Sequence, residues 1–193
     1  MDTLKVSRRD FDVKAKKLRR EGKVPASVCG GLLKDSVSLQ IDASQAKKIL
    51  GTKHIGARLQ LDLDGKKIPV QLKQRDFDVV DNSLLNVGFQ ALAADQKVKS
   101  IISIELKNAN KVDALIEQIM MDIPYESLPA DMIDVIEVDL DGKTAGTTIT
   151  VADIPELKSD KLTLAVNDDE VILKIIDKKR LGSAEETEET TEE

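Results

Sequence analysis

Hydrophobic and polar residues alternate over several short stretches of this chain, and a period of two predicts strands. The clearest stretch runs Leu59, Leu61, Leu63, then Asp64-Gly65, then Ile68, Val70, Leu72. An Asp-Gly pair between two alternating runs predicts a β-hairpin, because so tight a turn needs positive φ. Val37, Leu39 and Ile41 alternate within 36–41 and predict a half-buried strand. Further strands are expected from residues 4–10, from 24–31 between Pro25 and Gly30-Gly31, and from 84–91.

Two segments read as helices instead. Residues 14–21 are helix formers closed by Gly22, which predicts one or two turns with a glycine stop. Asp42 followed by Gln45 resembles a capping box opening a helix through Leu50, with Gly51 just past its end.

The second half again reads mainly as strands, at 100–107, 134–140, 147–151 and 170–177, with Pro124, Pro129 and Pro155 in the loops. Residues 110–123 are ambiguous between helix and strand. Residues 94–97 form a polar joint. The expected fold is therefore mainly β. A small N-terminal β-barrel with two short helices occupies 1–92, and a second β-rich domain 93–180. The Glu- and Thr-rich stretch 181–193 has nothing to bury and is expected to be a disordered acidic tail.

Composition sharpens this picture. Aromatic residues are 2% of the chain and Trp is absent, so the core must rest on Val, Ile, Leu and Ala, which suits strands. No apolar run approaches the roughly 20 residues that span a bilayer. The first residues lack an apolar h-region, so no signal peptide is expected. Cys29 is the sole cysteine, which excludes an internal disulfide and fits a reducing cytoplasm. The net charge of −6 conceals an asymmetry. Residues 1–90 carry 18 Lys+Arg against 11 Asp+Glu, residues 91–180 carry 11 against 18, and 181–193 carry six Glu and no base. One half suits a polyanion and the rest would repel one.

Little in the sequence supports catalysis. His54 is the only histidine, and nothing places it beside Cys29 as a nucleophile pair. The plain expectations are a solvated loop His54 and a small buried Cys29. One Cys and one His without suitably spaced carboxylates make no zinc site, and no phosphate-cradling glycine motif is present. Asp168-Asp169-Glu170 reads as an acidic turn before a strand, and Asp139, Asp141 and Gly142 as hairpin residues. Neither enzyme activity, cofactor, metal nor small-molecule substrate is expected.

A basic segment carries the positive functional signal. Arg8, Arg9, Lys14, Lys16, Lys17, Arg19, Arg20 and Lys23 fall within sixteen positions. On a helix Lys16, Arg19, Arg20 and Lys23 lie at spacings of three and four, so they share a face that offers cations to a phosphate backbone. With so few aromatics for stacking, the expected target is structured, double-helical RNA read by shape and phosphates.

At these residues the chain resembles a known family. Leu18-Arg19-Arg20-Glu21-Gly22-Lys23-Val24-Pro25-Ala26, ending in Gly30-Gly31, is similar to the hallmark of the bacterial large-subunit ribosomal protein L-twenty-five family, whose long form is the general stress protein Ctc. Residues 68–73 and Asn86-Val87-Gly88-Phe89 fall where that family carries barrel strands and a His-x-Asp-Phe motif. Leu128-Pro129-Ala130-Asp131, residues 136–139 and residues 148–155 look like the β-domain of the long form. The resemblance implies an N-terminal barrel that binds 5S ribosomal RNA at loop E, an irregular double-helical region, in the central protuberance of the large subunit. It implies a cytoplasmic, ribosome-bound protein with neighbouring ribosomal proteins as further partners and no membrane. It also adds Asn86 to the RNA-binding candidates Arg8, Arg9, Lys14, Lys16, Lys17, Arg19, Arg20 and Lys23.

Several positions depart from the family pattern. Cys29 replaces a Tyr, Asn86 and Gly88 replace the His and Asp of His-x-Asp-Phe, and Asp76 replaces a Gln. Asp12-Val13-Lys14 stands for a Gly-Lys-Gly loop, and a glycine-rich join is missing around residues 107–114. These departures leave a second reading, a divergent stress-related paralogue with weakened RNA binding that acts through protein contacts of its acidic β-domain.

Overall fold

The computed structural model describes residues 2–10, 12–31, 33, 35–159 and 161–177. The acidic stretch 181–193 lies outside the described residues. The chain divides into two compact units: Met1–Ile101 with Ser127–Asp134, and Ile102–Glu126 with the described residues from Val135 onward.

In the first unit β1 (Thr3–Arg8), β2 (Lys23–Cys29), β3 (Val37–Asp42), β4 (Arg58–Leu63), β5 (Lys66–Phe77) and β6 (Leu84–Ala91) close into a barrel in the order β1-β3-β2-β6-β5-β4. Parallel pairing of β1 with β4, Leu4 opposite Leu61, completes the ring and leaves it no free edge. The alternation drives this closure. Leu4, Leu39, Leu59, Leu61, Val70, Leu72 and Val87 are fully buried inside. The hairpin forms as expected, with Leu61 opposite Ile68 and Leu59 opposite Val70. Asp64 and Gly65 have φ of 53° and 82°, the pair of left-handed angles that matches the twist of the strands.

Helix α1 (Ala15–Arg20) and helix α2 (Ala43–Leu50) lie on the barrel. α1 is anchored by buried Leu18, worth about 2 kcal/mol of burial, and ends before Gly22 at φ 75°. At the start of α2 the Asp42 carboxylate accepts from the Gln45 N–H at 3.0 Å, a cap worth about 1 kcal/mol. The Ala43 N–H donates to the Gly22 carbonyl at 2.8 Å and ties the start of α2 to the end of α1.

Farther along run β7 (Val98–Lys107), β8 (Leu115–Gln118), β9 (Asp122–Ser127), β10 (Val135–Asp139), β11 (Thr148–Thr150), β12 (Thr163–Leu164) and β13 (Val171–Ile176). They form a four-stranded sheet, β10-β7-β9-β12, and a three-stranded sheet, β11-β13-β8. The ambiguous stretch 110–123 resolves into a 3-10 turn at Ala109–Lys111, then β8 and the start of β9. Both the barrel with two short helices and the β-rich remainder match the expected mainly-β class. The turn at Asp139, Asp141 and Gly142 needs a correction. Asp139 does accept from the Asp141 N–H at 2.9 Å, but the flanking β10 and β11 belong to different sheets, so the turn joins sheets and makes no hairpin.

Candidate nucleic-acid interface

Helix α1 is built to hold cations in water. Leu18 is its single buried residue, while Lys14, Lys16, Lys17, Arg19 and Arg20 are exposed. Lys17, Arg19 and Arg20 occupy the last turn, where positive charge complements the carbonyl end of the helix dipole. Lys16, Arg19 and Arg20 share a face, as the spacing of three and four requires. Lys23 does not continue that face. The chain turns left-handed at Gly22, and Lys23 opens β2. It meets Arg19 by another route. Both line a cleft of about 170 Å³ with Lys47, Asp81 and Ser83.

Lys47 was not among the expected residues. It stands in the last turn of α2 beside Lys48. Its only sequence signal was two adjacent lysines at a helix end, too common a pattern to single out.

Arg8 is exposed at the end of β1. Arg9 is half-buried, and its guanidinium donates to the Val13 carbonyl at 3.0 Å. It closes the loop into α1 from inside, so its charge serves that loop before any external partner. Asp10 and Asp12 are exposed in the same loop and offset the neighbouring cations.

Arg19 connects the helix to β6. Its Nη1 donates to the Leu85 carbonyl at 3.3 Å, next to half-buried Asn86. The Asn86 amide in turn donates to Asp76 at 3.4 Å. Asp76 pairs with Asn86 and Gln74 with Gly88 across β5 and β6, while Ser27 pairs with Gly88 and Cys29 with Gln90 across β2 and β6. Cys29, Asp76, Asn86 and Gly88 thus lie on three adjacent strands. Two register shifts in β5, at Leu72/Gln74 and at Asp76/Phe77, bracket the segment that carries Asp76. Such irregularities re-aim side chains on a sheet surface.

Cys29 is exposed, against the expectation of a buried residue. Val24, Ala26 and Val28 point inward from β2, so the alternation turns Cys29 outward. Its thiol lies 3.7 Å from the Phe89 carbonyl. Burial pushes the nearby Lys73 ammonium below the usual lysine range.

His54 lies in the turn before β4, where its carbonyl accepts from the Ala57 N–H. Asp168-Asp169-Glu170 forms the expected acidic turn, with the Glu170 carboxylate accepting from the Asn167 N–H at 3.2 Å. Among the described residues no group of three or more His, Cys, Asp and Glu side chains is placed to hold a metal, and no helix is long and apolar enough to cross a membrane.

Residues 4–89 match the model of the Ribosomal L25p family, and residues 97–179 match that of the Ribosomal protein TL5, C-terminal domain. The chain is 32% identical to large ribosomal subunit protein bL25 of Halothermothrix orenii over 84% of this chain and 75% of the relative. It is 27% identical to the protein of the same name from Methylobacillus flagellatus, over 90% of this chain and 87% of that one. The corresponding protein of Caldicellulosiruptor bescii is also 27% identical, over 97% and 94%.

Proposed function

The chain belongs to the Ribosomal L25p family, and on that footing we propose that it binds 5S ribosomal RNA at loop E as a structural constituent of the large subunit. It is a structural protein and not an enzyme, and its place is the cytoplasmic ribosome. The observation that carries the reading is the exposed cation row on α1, fixed to the barrel by Leu18 and to β6 by Arg19. Lys14, Lys16, Lys17, Arg19 and Arg20 supply the attraction to phosphate, and Lys23 with Lys47 extends the positive surface. Polar groups of β5 and β6 beside Arg19, Asn86 among them, stand where base edges would be read.

Two measurements test this. The chain should co-sediment with salt-washed large subunits. It should also bind a 5S fragment with a log–log salt slope of about −3.5 to −4.5, the value for about five neutralised phosphates. A salt-independent affinity would rule out the phosphate clamp.

One observation favours the second reading, that of a paralogue with weakened RNA binding. Asp76 places a carboxylate beside Asn86 on the candidate reading face. If that carboxylate dominates, the chain will wash off large subunits while still binding a protein partner.

A further inference from the structure

We infer that the second unit holds an extended, lysine- or arginine-bearing segment of another protein along the free edge of β10. β10 is an end strand whose one neighbour in the sheet is β7, and β11 is likewise an end strand of its own sheet. A cleft of about 430 Å³ opens between them, lined by β10, β11 and residues 153–156.

The backbone of β10 is poised for a further strand. The Leu140 N–H donates to the Lys107 carbonyl at 3.1 Å, so even-numbered positions turn their backbone groups toward β7. By alternation Glu137 and Asp139 turn theirs to the cleft side, where no strand pairs with β10 among the described residues. Natural edge strands are commonly blunted by lysine or proline, and Val135–Asp139 contains neither.

The side chains define the partner. Buried Ile136, Val138, Ile149 and Ile154 form an apolar floor. Exposed Glu137, Asp139, Asp153 and Glu156 rim it, against one lining cation, Lys143. Lys107 pairs with Glu137 and Lys111 with Asp141, which reduces the excess on one flank only. The Asn108 amide holds the Asp139 carboxyl below its usual range, and the Thr150 N–H and hydroxyl do the same for Asp153, so both stay ionised. Main-chain pairing supplies affinity in such strand addition, and the carboxylates select a cationic segment. A nucleic acid is repelled, and the Glu-rich stretch 181–193 has the wrong charge to fill the cleft.

The test uses the full chain and a fluorescent peptide of about ten residues that alternates lysine with valine. Fluorescence anisotropy should show binding, and hydrogen exchange should show new protection of the Glu137 and Asp139 amides. Glu156→Lys should weaken binding about tenfold. Of two peptides N-methylated at alternate residues, one should lose binding, because one register faces β10. Absence of binding overturns the proposal. So do equal binding of a glutamate–valine peptide, undiminished binding of both N-methylated peptides, and protection mapped to β8 instead. Binding that emerges only after residues 178–193 are deleted also overturns it, since the occupant would then be the chain's own end.

Discussion

Asp76 stands opposite Asn86 across β5 and β6, and its carboxylate accepts from the Asn86 amide at 3.4 Å and from the Gln74 amide at 3.0 Å. A negative charge thus occupies the face on which the RNA reading groups are proposed. Asp76→Asn removes that charge and keeps one acceptor oxygen. It is expected to tighten binding of a 5S fragment by about 0.3–1 kcal/mol at low salt and by less at high salt. Titrations at two ionic strengths measure it. An unchanged low-salt affinity would place the RNA away from this face.

Arg75 closes the C-terminal end of α2. Its Nη1 donates to the carbonyls of Leu50 and Lys53, and its guanidinium lies 5.0 Å from the Phe77 ring centre. Arg75→Ala leaves the Lys53 carbonyl without this donor and the Leu50 carbonyl with only the Lys53 N–H at 3.3 Å, and is expected to cost about 1–2 kcal/mol in urea unfolding of the full chain. Arg75→Lys should recover only part, because an ammonium lacks the planar guanidinium that lies over the Phe77 ring. A midpoint unmoved by Arg75→Ala would mean that water satisfies this helix end.

What the sequence disclosed followed the strength of its local periods. Leu59 to Leu72 was legible because two-residue alternation and Asp-Gly turn chemistry agree. Residues 110–123 were not. In and beside β8, Leu115, Ile119 and Met121 are exposed while Ile116 and Met120 are half-buried, so apolar residues fall on both faces and no period survives. Lys23 leaves the helix face because Gly22 turns the chain left-handed, and a spacing of three and four carried through Gly22 does not register that stop. Cys29 is exposed although its residue type favours burial, because the inward alternation of Val24, Ala26 and Val28 sets its direction. The pairing of Asp76 with Asn86, and the cleft that Lys47 and Arg19 both line, depend on registers and packing that no local pattern contains.

The end of the first unit yields a prediction about fragments. Gln71 is fully buried, and its amide donates to the Ser100 hydroxyl. Leu92 packs with Val98 and Met132. A fragment of residues 1–92 lacks all three partners, Ser100, Val98 and Met132, and its Gln71 amide would be left unpaired. That loss alone is expected to cost about 1–3 kcal/mol. Residues 1–101 restore Ser100 and Val98, so their urea midpoint should be clearly higher. Equal midpoints would show that the Gln71 side chain reaches water when Ser100 is absent.

The last prediction concerns selectivity. Asn86 offers one donor group and one acceptor without charge, and its donor is engaged by Asp76. Gly88, beside it on β6, offers backbone only. Phosphate contacts supply attraction without sequence information, so the loss of polar groups here should reduce discrimination more than affinity. The unmodified chain is therefore expected to separate a 5S fragment with intact loop E from one converted to regular duplex only weakly. Asn86→His with Gly88→Asp should sharpen that separation by about 1–3 kcal/mol. The substitution at Gly88 requires Gln74 on β5 to give way slightly. This glycine is not among the left-handed ones, and a Cβ there would sit 3.3 Å from the Gln74 Cβ, which needs a shift of a few tenths of an ångström. The neighbouring Asp76 would repel a new aspartate, so the triple variant that adds Asp76→Gln should discriminate best. Binding of both fragments by the three proteins, measured at one salt concentration, decides the matter. Full loop E selectivity in the unmodified chain would show that Arg19, the α1 lysines and backbone groups read the RNA unaided.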